Sequence, residues 1–307
     1  MRYSFIIPVY NRPEEVDELL NSLTRQTNKN FEVLVVEDGS SVPCKEVVDN
    51  YADRLDICYY FKSNSGPGQT RNYGAERGHG EYLIILDSDC ILPEGYLAAV
   101  ESELQQQKAD AFGGPDRAHD SFTNIQKAIN YAMTSFFTTG GIRGGKKKMD
   151  KFYPRSFNMG VRAEVYKALG GFSKMRFGED IDFSIRIFQG GYACRLFPEA
   201  WVWHKRRTDL KKFFKQVHNS GIARINLYKK YPESLKVVHL LPALFTIGIV
   251  FLLLYSLVCS WSLSLLLLFA LIICVDSTLR NKSFKIGLLS ILASFIQLIG
   301  YGTGFLR

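Results

Sequence analysis

Glu81-Tyr82-Leu83-Ile84-Ile85-Leu86-Asp87-Ser88-Asp89 is an apolar run that ends in two carboxylates separated by one serine. A continuous apolar run is typical of a parallel strand that is buried on both faces. Ligands of open α/β sheets bind beyond the carboxyl ends of such strands, where Asp87 and Asp89 are expected. Two neighbouring carboxylates repel each other unless a cation compensates them, and hard oxygen ligands suit Mg²⁺ or Mn²⁺. The stretch therefore predicts a divalent-cation site, with a solvated turn as the alternative.

Strand and helix patterns alternate on both sides of this stretch. Strands are predicted near residues 3–8, 31–36, 57–61, 82–86 and 110–113, and helices over residues 13–26, 45–52, 69–76 and 94–107. This alternation predicts an α/β fold with a mostly parallel sheet and helices on both faces. Special or charged groups follow each of the first four strands, so they are expected to converge on one edge: Tyr10-Asn11, Asp38-Gly39-Ser40, the segment from Asn64 to Arg71, and Asp87 with Asp89.

Two common nucleotide-binding schemes are disfavoured at that edge. The chain has no Gly-x-x-x-x-Gly-Lys-Ser/Thr loop there, and no Gly-x-Gly-x-x-Gly follows the first strand. What remains is a nucleotide site whose diphosphate is bound by a metal and by Arg71, with Asp38 accepting a hydrogen bond from a base ring nitrogen. The alternatives are an ordinary strand-ending turn at Asp38 and a surface ion pair at Arg71.

The C-terminal part of the chain is long and apolar enough for a membrane. Residues 240–275 and 286–306 carry no charged side chain. A span needs about 20 apolar residues, so we predict two or three spans, at approximately 240–258, 260–275 and 286–305. Lysine and arginine flank these runs, which predicts a multi-pass cell-membrane protein with residues 1–239 on the cytoplasmic side. The apolar run at residues 4–7 is too short for a signal-peptide core.

Much of the basic excess behind the net charge of +8 lies at residues 146–148 and at residues 205–236, which directly precede the first apolar run. Anionic membrane lipids are therefore the expected partner, and nucleic acid is not. Residues 209–231 place apolar and basic side chains on opposite helical faces, which predicts an in-plane membrane helix, with a helix packed on the soluble domain as the alternative. We predict a nucleotide-binding domain at 1–208, an amphipathic basic juxtamembrane segment at 209–236 and a membrane domain with two to three transmembrane helices at 237–307. The six cysteines show no paired spacing and are expected to be reduced packing residues.

Five ordered motifs together resemble the family 2 glycosyltransferases over about residues 3–204. They are Ile6-Ile7-Pro8-Val9-Tyr10-Asn11, Val36-Glu37-Asp38-Gly39-Ser40, Thr70-Arg71-Asn72-Tyr73-Gly74, Asp87-Ser88-Asp89 and Gly178-Glu179-Asp180. The resemblance implies a GT-A fold, so that residues 1–208 form a nucleotide-sugar glycosyltransferase domain. It also implies a nucleotide-activated sugar as donor, a divalent metal, Mn²⁺ or Mg²⁺, and in general inversion at the anomeric carbon.

By position, the resemblance implies that Pro8, Tyr10 and Asp38 line the nucleoside pocket, with Asp38 at the base. Arg71 and Asp87 are expected near the ribose and the phosphates.

The resemblance also implies that Asp89, in the Asp-x-Asp motif with Asp87, is the metal ligand. His204 matches a position that reaches the metal in some relatives, and a packed or acid-paired histidine is the alternative. One departure from the family pattern is Arg12, because many members carry glutamate after the asparagine.

An inverting transfer needs a base for the acceptor hydroxyl and a cation for the departing diphosphate. Asp180 matches the family's base, Glu179 is the second candidate, and charges that merely stabilise a helix start are the alternative. The segment Asn158-Met159-Gly160 resembles the part that lines the donor sugar or the acceptor entrance. Residues 140–148, rich in glycine and lysine, are expected to form a mobile loop near that entrance or an ordinary surface loop.

The motifs also bear on the acceptor. A base favours a hydroxyl acceptor over a polyprenyl phosphate, which is already ionised, and residues 216–220 do not match the Gln-x-x-Arg-Trp of processive synthases. We therefore expect one sugar to be added to a lipid-linked saccharide in cell-surface polysaccharide biosynthesis. Two alternatives stay open. These are a polyprenyl-phosphate glycosyltransferase and a non-catalytic membrane scaffold with the same fold.

Overall fold

The computed structural model describes residues 2–117, 119, 121–140 and 152–307. Two compact units are distinguished by their internal contacts: Met1–Arg117 with Met149–His204, and Ala118–Lys148 with Lys205–Arg307. Residues 121–140 thus group with the C-terminal part, whereas the sequence-based division placed them in the N-terminal domain.

The strands and helices follow one another in the alternating order that the sequence predicted. The strands are β1 (Tyr3–Val9), β2 (Phe31–Asp38), β3 (Ile57–Lys62), β4 (Tyr82–Leu86), β5 (Cys90–Ile91), β6 (Ala111–Gly113), β7 (Asp116–Arg117), β8 (Asn158–Arg162), β9 (Cys194–Leu196) and β10 (Val202–His204). The helices are α1 (Pro13–Thr24), α2 (Lys45–Asp49), α3 (Pro67–Ala75), α4 (Tyr96–Gln106), α5 (Asn124–Thr134), α6 (Phe136–Thr139), α7 (Ala163–Ala168), α8 (Glu179–Gln189), α9 (Leu210–Lys230), α10 (Leu241–Tyr255), α11 (Leu263–Asn281) and α12 (Phe284–Phe305).

A seven-stranded sheet in the order β3-β2-β1-β4-β8-β6-β9 forms the centre of the first unit. The pairs among β1 to β4 are parallel, and β8 runs antiparallel to both of its neighbours, β4 and β6. A second sheet in the order β5-β10-β7 brings the end of the unit, β10, beside the segment that follows β4. The prediction of an α/β fold with a mostly parallel sheet is confirmed.

Both faces of the central sheet are covered by helices, which explains the uninterrupted apolar runs of its strands. Phe5 and Ile84 point to one face, where α1 and α4 contribute Leu19 and Leu97 to the same core. Alternate residues of the same strands, such as Ile85, belong to a second core with side chains of α7 and α8. This burial fixes the register of the strands and therefore the position of the polar residues that follow them.

The second unit contains three helical segments that are long and apolar enough to cross a membrane. They are Val237–Tyr255, Ser260–Asn281 and Phe284–Phe305. The middle segment extends beyond the predicted span of 260–275, because the helix continues through polar residues that include Asp276 and Arg280.

Helix α9 packs its apolar face inside the second unit. Phe213 and Val217 are buried in a cluster with side chains of α5 and α12. Gly221 allows close approach to α12, since a Cβ atom there would lie 2.2 Å from the carbonyl oxygen of Tyr301. Part of the apolar face that suggested an in-plane membrane helix is thus occupied by contacts with α5 and α12, whereas Phe214 and Tyr228 are exposed.

Candidate active site

A buried arginine connects two elements at the carboxyl edge of the central sheet. Arg71, on α3, is 4% exposed, and its guanidinium donates to Asp87 and to Glu179 at 2.8 Å each. Burial opposes the charged form of Arg71, but the two carboxylates outweigh it and its pKa is raised. Burial raises the pKa of Glu179, and the neighbouring Asp180 acts in the same direction while Arg71 opposes it. Arg71 therefore links the end of β4 to the start of α8.

Asp89 lies between two basic side chains. One of its oxygens, Oδ2, is ion-paired with Arg12, which directly precedes α1. The other, Oδ1, lies 3.2 Å from Nε2 of His204, at the end of β10. The His204 ring is stacked on Phe157, with 4.8 Å between ring centroids. Burial opposes the charge on Arg12, but Asp89 outweighs it, so the pKa of Arg12 is raised.

Three potential metal-ligating atoms of Asp89, Cys90 and His204 lie within 4.8 Å of one another. Burial, followed by the charge of Asp89, raises the pKa of the Cys90 thiol well above its ordinary value, and Sγ donates to the carbonyl oxygen of Phe157. The Cys90 thiol therefore already has a hydrogen-bond acceptor in the backbone of Phe157. A carboxylate oxygen with an imidazole nitrogen fits Mn²⁺ better than Mg²⁺, which prefers oxygen ligands. Within the described residues, Asp87 is turned toward Arg71 rather than toward this group.

Asp38 is held by the loop that precedes α3. Its two carboxylate oxygens accept hydrogen bonds from the backbone N–H groups of Ser65 and Gly66, at 2.9 Å each, and Lys62 lies 2.5 Å from Oδ1. Burial opposes ionisation, but the hydrogen bonds from Lys62 and Ser65 outweigh it and keep the pKa of Asp38 below its ordinary value. The carboxylate thus shapes the loop that leads to Arg71, and its predicted contact with a nucleobase remains a prediction.

The two carboxylates predicted to be catalytic, Glu179 and Asp180, lie in different environments. Glu179 is 8% exposed and engaged with Arg71. Asp180 is partly buried, accepts a hydrogen bond from the N–H of Ile181 at 2.8 Å, and lies 3.2 Å from Nε of Arg155. Arg155 is the more exposed member of that ion pair. The cation beside Glu179, Arg71, is thus much more deeply buried than the cation beside Asp180.

The residues predicted to line the sugar site lie on β8, between β4 and β6. Asn158 accepts a hydrogen bond from the hydroxyl of Tyr96 at 2.6 Å and donates to the carbonyl oxygen of Ala200 at 2.7 Å. Met159 is fully buried in the core, and Gly160 is buried in the same strand. Their packing gives no support to contact with a sugar, which remains a prediction.

The remaining predicted residues are spread over the rim. Pro8 is partly buried near the end of β1, and Tyr10 is 54% exposed just after it. Of the glycine- and lysine-rich segment 140–148, residues 141–148 lie outside the described part of the chain.

Sequence reasoning did not identify the partners of these carboxylates. Arg155 lies beside Asp180, and Lys62 beside Asp38, although neither belongs to a motif. The one available signal was Arg12, whose charge departs from the pattern that the neighbouring motif resembles. Its partner, Asp89, is 77 residues away, so local spacing could not connect them.

The model of the family described as Glycosyl transferase family 2 matches residues 4–170, which is more than half of the chain. The glycosyltransferase AglE of Haloferax volcanii is 27% identical over 259 residues, covering 76% of this chain and 79% of that protein. Other relatives are longer. The chain covers 22% of the length of an uncharacterised glycosyltransferase of Rickettsia felis, to which it is 32% identical over 137 residues.

Solved structures share the fold. The mannosyltransferase PcManGT from Pyrobaculum calidifontis, in complex with GDP-Man and Mn²⁺, has a TM-score of 0.66 at 18% identity and covers 97% of this chain and 87% of its own. Residues 1–349 of Staphylococcus aureus TarS, in complex with UDP-GlcNAc, have a TM-score of 0.53 at 20% identity and cover 74% of this chain and 67% of their own.

Proposed function

The chain belongs to glycosyl transferase family 2 and is a glycosyltransferase, and we propose that it moves one sugar from a UDP-linked donor to a hydroxyl of a lipid-linked saccharide. The observation that carries this proposal is the set of ion pairs at one edge of the sheet. Arg71 joins Asp87 to Glu179, and Arg12 joins the start of α1 to Asp89. Cations and carboxylates brought together there suit a negatively charged diphosphate and a reacting hydroxyl.

A nucleotide sugar as donor is supported by two neighbours of the same fold, one described with UDP-GlcNAc and one with GDP-Man. The two differ in the base and in the sugar. We propose uridine as the base, and the experiment below identifies the transferred sugar.

Asp180 is the proposed general base, and the transfer is proposed to invert the anomeric carbon. As an oxygen of the acceptor attacks that carbon, the carboxylate of Asp180 takes the hydroxyl proton, and the diphosphate leaves from the opposite face. Glu179 is the less suitable base, because its buried carboxylate already accepts a hydrogen bond from Arg71. Arg155 positions Asp180 in this scheme.

A divalent cation, Mn²⁺ in preference to Mg²⁺, is proposed to be held by Asp89 and His204. When bound, it would stabilise the charge that develops on the departing diphosphate. The Mn²⁺ described with PcManGT supports this part of the proposal by likeness of fold. Asp87 is proposed to act through Arg71, because its carboxylate already pairs with that guanidinium.

A second function is favoured by Arg155. Its guanidinium lies beside Asp180 and is partly exposed, so it offers a cation to an acceptor that is itself an anion. Transfer to a polyprenyl phosphate would use that cation and would need no base. The two functions differ in whether the charge of Asp180 is required.

Three apolar helical segments support attachment to a membrane. We propose a cell-membrane location with the first unit on the cytoplasmic side, because lysine and arginine flank these segments. Anionic lipids are the proposed partners of the basic side chains near Lys229 and Lys236.

The test is sugar transfer by the full chain, purified in detergent, from UDP- and GDP-linked sugars with Mn²⁺. Acceptors are a membrane lipid extract and, separately, a polyprenyl phosphate. We expect Asp180→Asn to lower transfer about 10²–10⁴-fold without loss of donor binding, since it removes a positioned base. The control is Asp49→Asn, which changes an exposed carboxylate paired with Lys45 on α2.

Transfer to the lipid extract that is lost in Asp180→Asn and kept in Asp49→Asn supports the hydroxyl acceptor. Transfer to polyprenyl phosphate that survives Asp180→Asn moves the assignment to the second function. Absence of donor binding with every nucleotide sugar would refute both.

A further inference from the structure

Arg12 is held in place by its neighbours on both sides. Asn11 has a left-handed backbone, with φ of 53°, and its N–H donates to Oγ of Ser40 at 2.7 Å. The Asn11 side chain accepts from the N–H of Val42 at 2.9 Å. On the other side, Pro13 begins α1 and has a fixed φ. The backbone of Arg12 is therefore fixed where its side chain reaches Asp89.

This arrangement places a permanent positive charge on the carboxylate that is proposed to bind the cation. The guanidinium of Arg12 is on Oδ2 of Asp89, and His204 is near Oδ1. Asp89 is 6% exposed, so its charge is poorly screened by solvent. A divalent cation that approaches Asp89 is repelled by the positive charge of Arg12, which is already in contact with the carboxylate. This repulsion makes the free energy of cation binding less favourable.

We propose that Arg12 competes with the divalent cation for Asp89, and that the diphosphate of the donor relieves this competition by accepting the guanidinium. The proposal rests on the proposed function, because it needs a diphosphate donor. Arg12 is then a positioning residue that couples the two ligands: the cation binds weakly to the protein alone and tightly once the diphosphate is present. Because coupling between two binding events is reciprocal, the cation increases the affinity for the diphosphate by the same factor.

The chemical properties and the exposure of the Arg12 side chain support this role. Arginine cannot lose its charge in the protein, so it leaves Asp89 by moving and not by deprotonation. Phosphate oxygens accept two parallel hydrogen bonds from a guanidinium, as a carboxylate does, so the diphosphate is a suitable new partner. The Arg12 side chain is 28% exposed, which leaves it a route out of the pair.

The experiment measures Mn²⁺ binding to the full chain in detergent, with and without UDP, by the electron paramagnetic resonance signal of free Mn²⁺. The variants are Arg12→Gln, which removes the charge, and Arg12→Lys, which keeps it. Arg155→Gln is the matched control, because it removes a cation that pairs with Asp180 instead of Asp89. Asp89→Asn tests that the measured ion is at this site, and thermal unfolding verifies that each variant is folded.

We expect Arg12→Gln to bind Mn²⁺ about tenfold more tightly than the unchanged chain in the absence of UDP, which corresponds to about 1.4 kcal/mol. Arg12→Lys is expected to stay close to the unchanged chain, and Arg155→Gln within about twofold of it. UDP should increase the Mn²⁺ affinity less in Arg12→Gln than in the unchanged chain. The difference should equal the factor by which the variant binds Mn²⁺ more tightly in the absence of UDP.

Equal or weaker Mn²⁺ binding by Arg12→Gln would overturn the proposal, and so would an equal gain in Arg155→Gln. UDP binding in the same samples separates this failure from that of the proposed function. If UDP binds but Arg12→Gln does not tighten Mn²⁺ binding, the role of Arg12 is refuted while the donor assignment stands.

Discussion

Replacing Arg71 with methionine tests whether the buried ion pairs hold the edge of the sheet together. The guanidinium carbon of Arg71 lies 5.4 Å from the ring centroid of Phe172. Methionine keeps much of the apolar part of the arginine side chain and removes the charge. The change leaves Asp87 and Glu179 without their shared cation. The side chain of Glu179 is 10% exposed, whereas that of Asp87 is 32% exposed and can be rehydrated.

The expected loss in the free energy of unfolding follows from these exposures. Removing one partner of a buried ion pair costs about 3–5 kcal/mol. Because Asp87 is only partly buried, we expect the lower end, about 3 kcal/mol, most of it from Glu179. For a domain of this size that is a fall in Tm of about 6–12 °C.

Thermal unfolding in detergent measures this fall through tryptophan fluorescence. Trp201 and Trp203 belong to the first unit, and Trp261→Phe removes the tryptophan of the second unit. The control is Arg2→Met, which breaks an exposed ion pair of 2.5 Å with Asp56. Exposed pairs contribute about 0.2–1 kcal/mol, so this control should shift Tm by less than about 4 °C.

A second change tests the cause. Adding Glu179→Gln to Arg71→Met removes the unpaired buried charge, so the double variant should unfold at a higher temperature than Arg71→Met. If Arg71→Met is no less stable than Arg2→Met, or if Glu179→Gln gives no recovery, the reasoning about the buried charges is refuted.

Three further predictions concern packing, thiols and pH. Gly160→Ala should cost about 3 kcal/mol, because the added Cβ would lie 2.0 Å from Cζ of Phe112, whose ring is stacked on Phe197. Gly95→Ala, which meets nothing within 4 Å, should leave Tm nearly unchanged in the same melt, and equal losses would contradict the packing argument. In the folded protein at pH 8, exposed Cys58 should react with iodoacetamide, whereas Cys44 and Cys90 should not, because burial raises the pKa of both thiols. Mass spectrometry measures the labelling, and labelling of Cys90 as fast as that of Cys58 would disprove this. The pKa of Asp38 is lowered from 3.8 in the fold, so its ionised form stabilises the protein above that pH, and the stabilisation is lost as pH falls through the lower folded pKa. The Tm difference between the unchanged chain and Asp38→Asn should therefore be larger at pH 6 than at pH 3, and a constant difference would argue against it.

The alternating strands and helices of the first unit were predictable because each depends on a local pattern. The strand Tyr82–Leu86 has the predicted bounds, since an apolar run flanked by polar residues allows little else. The parallel connections then bring the ends of β1, β2 and β4 to one edge, which is why Asp38 and Asp87 could be placed there before their contacts were known.

The partners of the charged side chains were decided by the tertiary structure. Arg71 meets Glu179 across 108 positions of the sequence, and Arg12 meets Asp89 across 77. No spacing rule connects residues so far apart, because their distance depends on how the sheet is assembled. In particular, β8 is inserted antiparallel between β4 and β6, and this insertion buries Met159 in the core.

The sequence by itself determined which residue types follow the strands, and the apolar length of the C-terminal segments. The tertiary structure decided which carboxylate is neutralised by which arginine, and that residues 121–140 group with the C-terminal unit. The physical reason is that apolar periodicity acts over a few residues, whereas charge pairing and burial act between elements that only the folded chain brings into contact.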